Sequence, residues 1–250
     1  MIRSIFVGSF LVLLFAGISI AAEPGLIGYW PFDENSGKTA KDQSGNGYDG
    51  EFVGEPNWVP GKFGSALEFD GSSSYVNVPD APDMAIEKDI TFGCWFSPGE
   101  TIDPGNNAWR LMSKNNDSFL LFNYEQLGHL GWLVKDDGGT NHVVHSTNNT
   151  WEAETWYHVA GTYDGQDLTI YIDGVLDNSA PFSGNIGLSA LDLWIGADDL
   201  TAFFPGAIDE VRMYNRALNE AEVKEWMDGP VAVQPAGKLA RTWAEVKSED

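Results

Sequence analysis

The sequence predicts an all-β chain, an antiparallel two-sheet sandwich with one short C-terminal helix. Apolar and polar residues alternate with period two in short runs from Leu26 to Tyr214, the side-chain repeat of a strand. Turn residues punctuate the runs, and the chain holds 28 Gly and 12 Pro. Only one segment reads as a helix.

The elements follow in order. "LIGYWPF" is an apolar, aromatic run that ends in the turn residues "DENSGK". "DQSGNGYDG", Asp42 to Gly50, is a glycine-rich loop. "SALEFD" and "YVNVP" alternate on either side of "GSSS". "DITFGCWFSP", "RLMSK", "SFLLFNY", "GWLVKD", "NHVVHS", "WYHVAGTYD", "LTIYIDG" and "LDLWIGAD" continue the pattern. Asp164-Gly165 and Asp173-Gly174 supply the positive φ that tight hairpins need. In "LNEAEVKEWMDG", Asn219 is an N-cap with Glu222 three residues on, and Gly229-Pro230 is the stop. The remainder, 229–250, reads as an extended tail in which "LARTWAEVK" suits a short helix or docking segment.

Composition narrows the partners. The chain carries 37 Asp and Glu against 14 Lys and Arg, a net charge of −23. Such a surface repels phosphate backbones and anionic membranes, so no nucleic-acid partner is expected and cations are favoured. Residues 1–22 read as a signal peptide: Arg3, an apolar run to about Ile20, then small residues, with cleavage after Ala21 or Ala22. An uncleaved anchor helix is the alternative. Cys94 is the single cysteine, so no internal disulfide forms, and its place in "ITFGCWF" assigns it to the core. The expected protein is secreted or periplasmic and does not span a membrane once the signal is removed.

Six stretches in order, "GYWPFDENSG", "DQSGNGYDG", "SALEFDGSSSYVNVP", "ITFGCWF", "WYHVAGTYDGQDLTIYIDGVL" and "GAIDEVRMYNRALNEAEVKEW", resemble the laminin G-like jelly-roll domains of the concanavalin A-like lectin/glucanase superfamily, in their bacterial secreted form. The resemblance covers roughly Leu26 to Met227. It implies a two-sheet antiparallel jelly-roll β-sandwich over 26–228, with one sheet curved around a concave face. It leaves the ligand open, because the fold serves lectins, adhesion modules, glycosidases and lyases.

Within "DQSGNGYDG", Asp42, Ser44 and Asn46 followed by Gly47 match the first half of an EF-hand loop, but position 12 is Val53 and not glutamate. The resemblance places this turn near the last strand, "AIDEVRMY". It implies a calcium site built from Asp42, Asn46 and Asp209, with Asp33 assisting. A plain Asx-turn is the alternative. Glu210 is placed either against Arg212 or Arg216 or on the metal. Asp209 and Glu210, being adjacent, are expected on opposite faces of their strand.

Catalytic signatures are missing. The paired-glutamate pattern E-x-D-x-x-E of retaining glucanases does not occur, nor does G-x-S-x-G. His142 and His145 are three apart, which sends them to opposite strand faces, a poor metal pair. His129 joins no motif, and His158 reads as a strand histidine. The reading is therefore a secreted non-enzymatic module that binds carbohydrate or another extracellular ligand with a structural calcium ion; a structural or adhesion module that binds a protein partner is the first alternative, and a carbohydrate-active hydrolase or lyase, with carboxylates converging from separate strands, is the second. Candidate ligand residues are loop aromatics beside polar groups: Trp109 and Arg110 with Asn106 and Asn107; Trp132 with Asp136; Phe203 and Phe204 near Asp198 and Asp199, a pair that also suggests a second cation site. Trp30, Trp95, Trp156 and Trp194 are assigned to the core.

Overall fold

The computed structural model describes residues 23–229 apart from 106–107, 115–117, 124–126 and 199–201. The expected signal peptide, the tail beyond Gly229, and the candidates Asn106, Asn107 and Asp199 lie outside the described residues.

Strands β1 (Leu26–Trp30), β2 (Thr39–Ala40), β3 (Gly50–Val53), β4 (Asn57–Pro60), β5 (Ser65–Asp70) and β6 (Tyr75–Val78) come first. Next are β7 (Ile90–Pro98), β8 (Arg110–Ser113), β9 (Phe119–Asn123), β10 (Leu130–Lys135) and β11 (Asn141–His145). The chain continues through β12 (Tyr157–Tyr163), β13 (Asp167–Ile172), β14 (Val175–Pro181), β15 (Leu193–Ile195), β16 (Ala197–Asp198), β17 (Ala202–Phe203) and β18 (Pro205–Tyr214), and ends with α1 (Glu220–Met227).

One sheet runs β14-β13-β12-β7-β18-β5-β4, with β1 also paired to β18. The second runs β11-β10-β9-β8-β15-β6-β3-β2. All pairs are antiparallel, so the two-sheet sandwich read from the sequence is the fold observed. Alternate residues such as Phe92, Cys94 and Phe96 of β7, and Val76 and Val78 of β6, meet between the sheets in one core cluster. That alternation is the period-two pattern made physical.

The outer face of the first sheet is also covered. Helix α1 lies on it and buries Val223 and Trp226 against Ala160, Tyr171 and Tyr214. Its start is fixed as predicted: the Asn219 side chain accepts from the amides of Ala221 and Glu222, and Glu222 accepts from the Asn219 amide. Each sheet thus has a core face and an outer face, but only the first sheet's outer face carries the helix.

Candidate functional site

The outer face of the second sheet is read directly from the strand register. Thr39, Glu51, Asn77, Trp194, Ser113, Leu120, Leu133 and Val143 are successive cross-strand partners from β2 to β11. Their sequence neighbours Val76, Val78, Leu193, Ile195, Leu121 and Val144 belong to the core, so this row points away from it. A parallel row contains Arg110, Phe122, Gly131 and His145. A side-chain carbon at Gly131 would lie 2.4 Å from the Phe122 ring, so glycine is what admits that ring.

The face has two halves. Leu120, Phe122 and Leu133 form a buried apolar patch separate from the core. The other half is aromatic and polar. The Trp194 ring lies 4.6 Å from Tyr75, and Phe203 is 6.3 Å from Tyr75 on the other side. Trp194 and Phe203 are half-buried. Beside them Asn77 donates to Asp192 at 2.9 Å, and Asp192 also accepts from the Asp80 amide. Burial, and then the charge of Asp192, pushes the Tyr75 hydroxyl above its usual pKa. Across the row, Arg110 meets Asp198 at 3.3 Å, Ser113 donates to Asp198 at 3.0 Å, and the guanidinium lies 5.2 Å from the Phe122 ring. Flat rings flanked by amide, carboxylate and guanidinium groups are what a sugar, with one apolar face and a rim of hydroxyls, requires.

Arg110 lies on this face, and Asp198 joins it as an ion-pair partner. Trp109 is not there: it is 3% exposed and packs in the core 4.9 Å from Phe204, itself fully buried. Trp132 is fully buried, its indole N–H donating to the Thr162 carbonyl at 3.0 Å. Turn residues lie near both in sequence, but each ring sits at a core-facing position. Buried rings offer no face, so both expectations are corrected. Asp136 holds its own hairpin together, accepting from the Thr140 amide and pairing with His142 at 2.9 Å. Trp194 is the converse error. Its apolar run reads as core, yet Leu193 and Ile195 point inward and leave Trp194 on the outer face. Trp30 is core as assigned. Trp95 is buried on the first sheet's outer side against Phe63 and His158, and Trp156 is half-buried.

The expected calcium ligands divide into two groups. Asp42 accepts from the amides of Tyr29, Ser44 and Tyr48 and from the Ser44 hydroxyl, all within 3.0 Å. Asn46 donates to the Ile27 carbonyl at 2.8 Å. "DQSGNGYDG" is thus an Asx-type loop tied to β1, and none of its described interactions reaches Asp209 or Asp33. Those two sit elsewhere, around the loop Gly61–Ser65. Asp209 accepts from the Phe63 amide and Asp33 from the Ser65 amide, both at 3.0 Å. Cβ atoms at Gly61 and Gly64 would fall 2.6 Å and 2.0 Å from the two carboxylates, so the glycines form a cradle. Asp209 is fully buried, and its Oδ1 has no partner among the described residues. Burial, above all, pushes its carboxyl up to about 8, with the charges of Glu210 and Asp33 adding to it. An orphaned buried carboxylate oxygen within the field of other carboxylates fits a cation. Among the described residues, no three His, Cys, Asp or Glu side chains converge as a complete ligand set, so backbone or water oxygens would have to complete it.

Glu210 resolves toward Arg212, at 3.1 Å, and Tyr29. It does not oppose Asp209 as expected. Between Asp209 and Arg212 the register against β7 slips by one residue, and Glu210 takes a φ of 55°, a β-bulge that brings both carboxylates to the outer side. Sequence alternation cannot register an inserted residue.

Residues 70–224 match the Laminin_G_3 family of the concanavalin A-like lectin/glucanases superfamily. The chain belongs to that family. A curated relative, adhesion G-protein coupled receptor V1 of Danio rerio, is 24% identical over 165 residues; the match covers 58% of this chain and about 2% of the receptor. Among solved structures, the binding domain of Paraclostridial Mosquitocidal Protein 1 superposes with a TM-score of 0.68 at 20% identity, covering 81% of this chain and 52% of that one. Domain 4 of AbnA, a GH43 extracellular arabinanase from Geobacillus stearothermophilus solved with arabinotriose, gives 0.64 at 20% identity, covering 82% and 99%. These likenesses establish the concanavalin A-like fold. Among the described residues no helix is long and apolar enough to cross a membrane.

Proposed function

We propose that this laminin G-like domain is a secreted, non-enzymatic module that binds extracellular carbohydrate on the outer face of its second sheet. The observation that carries the reading is the pair of half-buried rings Trp194 and Phe203 packed on the buried Tyr75, beside the Asn77–Asp192 and Arg110–Asp198 pairs. The arabinotriose complex of the arabinanase domain supports it by analogy of fold. The non-enzymatic part rests on the missing glutamate pattern and on the engagement of Asp192 and Asp198 by fixed donors. Calcium enters the reading at Asp209 and Asp33 only, two carboxylates that accept from amides of one loop, where a bound cation would offset their charge and pin the loop Gly61–Ser65 to β18. Export rests on residues 1–22, and the mature protein recovered outside the cell is expected to begin at Ala22 or Glu23.

The test is titration of the purified protein against a polysaccharide panel, repeated with Trp194→Ala. Binding lost in the variant with an unchanged melting temperature supports the site; equal binding by both proteins rejects it.

A further inference from the structure

Resting on the carbohydrate reading of this face, the charge pattern points, we infer, to an uncharged glycan: a neutral polysaccharide and not a sialylated, uronate-bearing or sulfated one. On the aromatic–polar half the carboxylates of Glu51, Asp80, Asp192 and Asp198 outnumber the cations Arg110 and Lys114. Lys114 is enclosed, and the charge of Arg110 is already balanced by a carboxylate. Arg110 is committed to Asp198 through Nε, to the Trp109 carbonyl through Nη1, and to the face of Phe122. Lys114 is fully buried and paired with Asp80. Lys38, near the β2 edge, pairs with Glu55. The next lysine along the face, Lys135, lies two strands from β8, on β10. His145 adds no charge at neutral pH, because burial and the neighbouring His129 hold it below its ordinary pKa. The internal segments outside the description, 106–107, 115–117, 124–126 and 199–201, contain no Lys, Arg or His in the sequence.

An anionic sugar is recognised by an Arg or Lys whose charge is not already balanced by a neighbouring carboxylate. Here it would meet Glu51 and Asp192 across a low-dielectric aromatic surface, in the field of a chain with net charge −23. A neutral sugar meets no such opposition. Its hydroxyls donate to Asp192 and accept from the Asn77 amide, and its apolar face covers the rings.

The experiment sets arabinan, galactan and hydroxyethylcellulose against polygalacturonate, alginate and heparin, at 50 mM and 500 mM NaCl, with wild type, Trp194→Ala and the double variant Glu51→Gln/Asp192→Asn. The expected result is binding to at least one neutral polymer that varies less than twofold with salt and falls at least tenfold in Trp194→Ala. No anionic polymer should bind wild type at 50 mM NaCl, and the double variant should gain affinity for one. Binding of an anionic polymer that depends on Trp194 overturns the inference while leaving the carbohydrate site standing. Failure of all six polymers to bind, or binding indifferent to Trp194→Ala, overturns both.

Discussion

Asp209 shows how one residue sets a testable property. A buried carboxylate with one unpartnered oxygen destabilises the fold unless a cation or proton neutralises it. In EDTA, at a pH above its raised pKa of about 8 where the carboxylate is charged, Asp209→Asn is expected to raise the melting temperature, because the amide keeps an acceptor for the Phe63 amide and removes the charge. In calcium, wild type is expected to rise while the variant stays fixed; magnesium or sodium at matched ionic strength should not reproduce the shift. A wild-type melt unchanged by calcium contradicts the cation site. The tryptophans make the complementary case. Trp109→Ala and Trp132→Ala are expected to destabilise by about 3–5 kcal/mol, the usual loss when a large buried aromatic is removed, measured by denaturant unfolding, whereas Trp194→Ala should alter stability far less. Composition alone does not separate these three rings. What separates them is strand phase: Trp194 lies between two inward residues, Leu193 and Ile195. The phase was readable, but "LDLWIGAD" also fits an all-buried run, and only the pairing with Asn77 and Ser113 decides.

At the scale of the element, the sequence was most legible where local chemistry governs. The α1 capping box and the Asp-Gly hairpins appear where expected, because each is satisfied within a few residues. The β18 bulge was not legible, because it depends on registers with β5, β7 and β1 that sit far away in sequence. Asn219→Ala should cost about 1 kcal/mol, seen as a lower denaturation midpoint. Helix α1 also carries a pH dependence. His158 is fully buried, 5.3 Å from Trp95 and 4.7 Å from Trp226, and burial, followed by the Arg212 charge, holds its pKa down at about 3. An unfolded histidine titrates near 6.5. Between those values the unfolded chain takes up the proton and the folded one does not, so stability falls as pH drops from about 6.5 toward about 3. Unfolding at pH 7 and pH 4 should show the loss, and His158→Phe should reduce it. An equal acid sensitivity in the variant would place the effect on other groups.

For the whole molecule, the two outer faces divide the work. The first sheet's face is closed by α1 and by the buried cluster of Tyr29, Glu210 and Arg212, and it supplies stability. The second sheet's face keeps aromatic and polar groups near solvent, and it is the face proposed to bind carbohydrate. The lopsided charge was visible from composition, but its functional meaning appears only once Arg110 and Lys114 are seen to be committed locally. The most direct measurement is the affinity ratio between wild type and Trp194→Ala for the best-bound neutral polysaccharide, with melting temperatures recorded in the same buffer. The account predicts a drop of at least about tenfold, some 1.4 kcal/mol, at an unchanged melt. Equal affinities would contradict it and move recognition away from the second sheet's outer face.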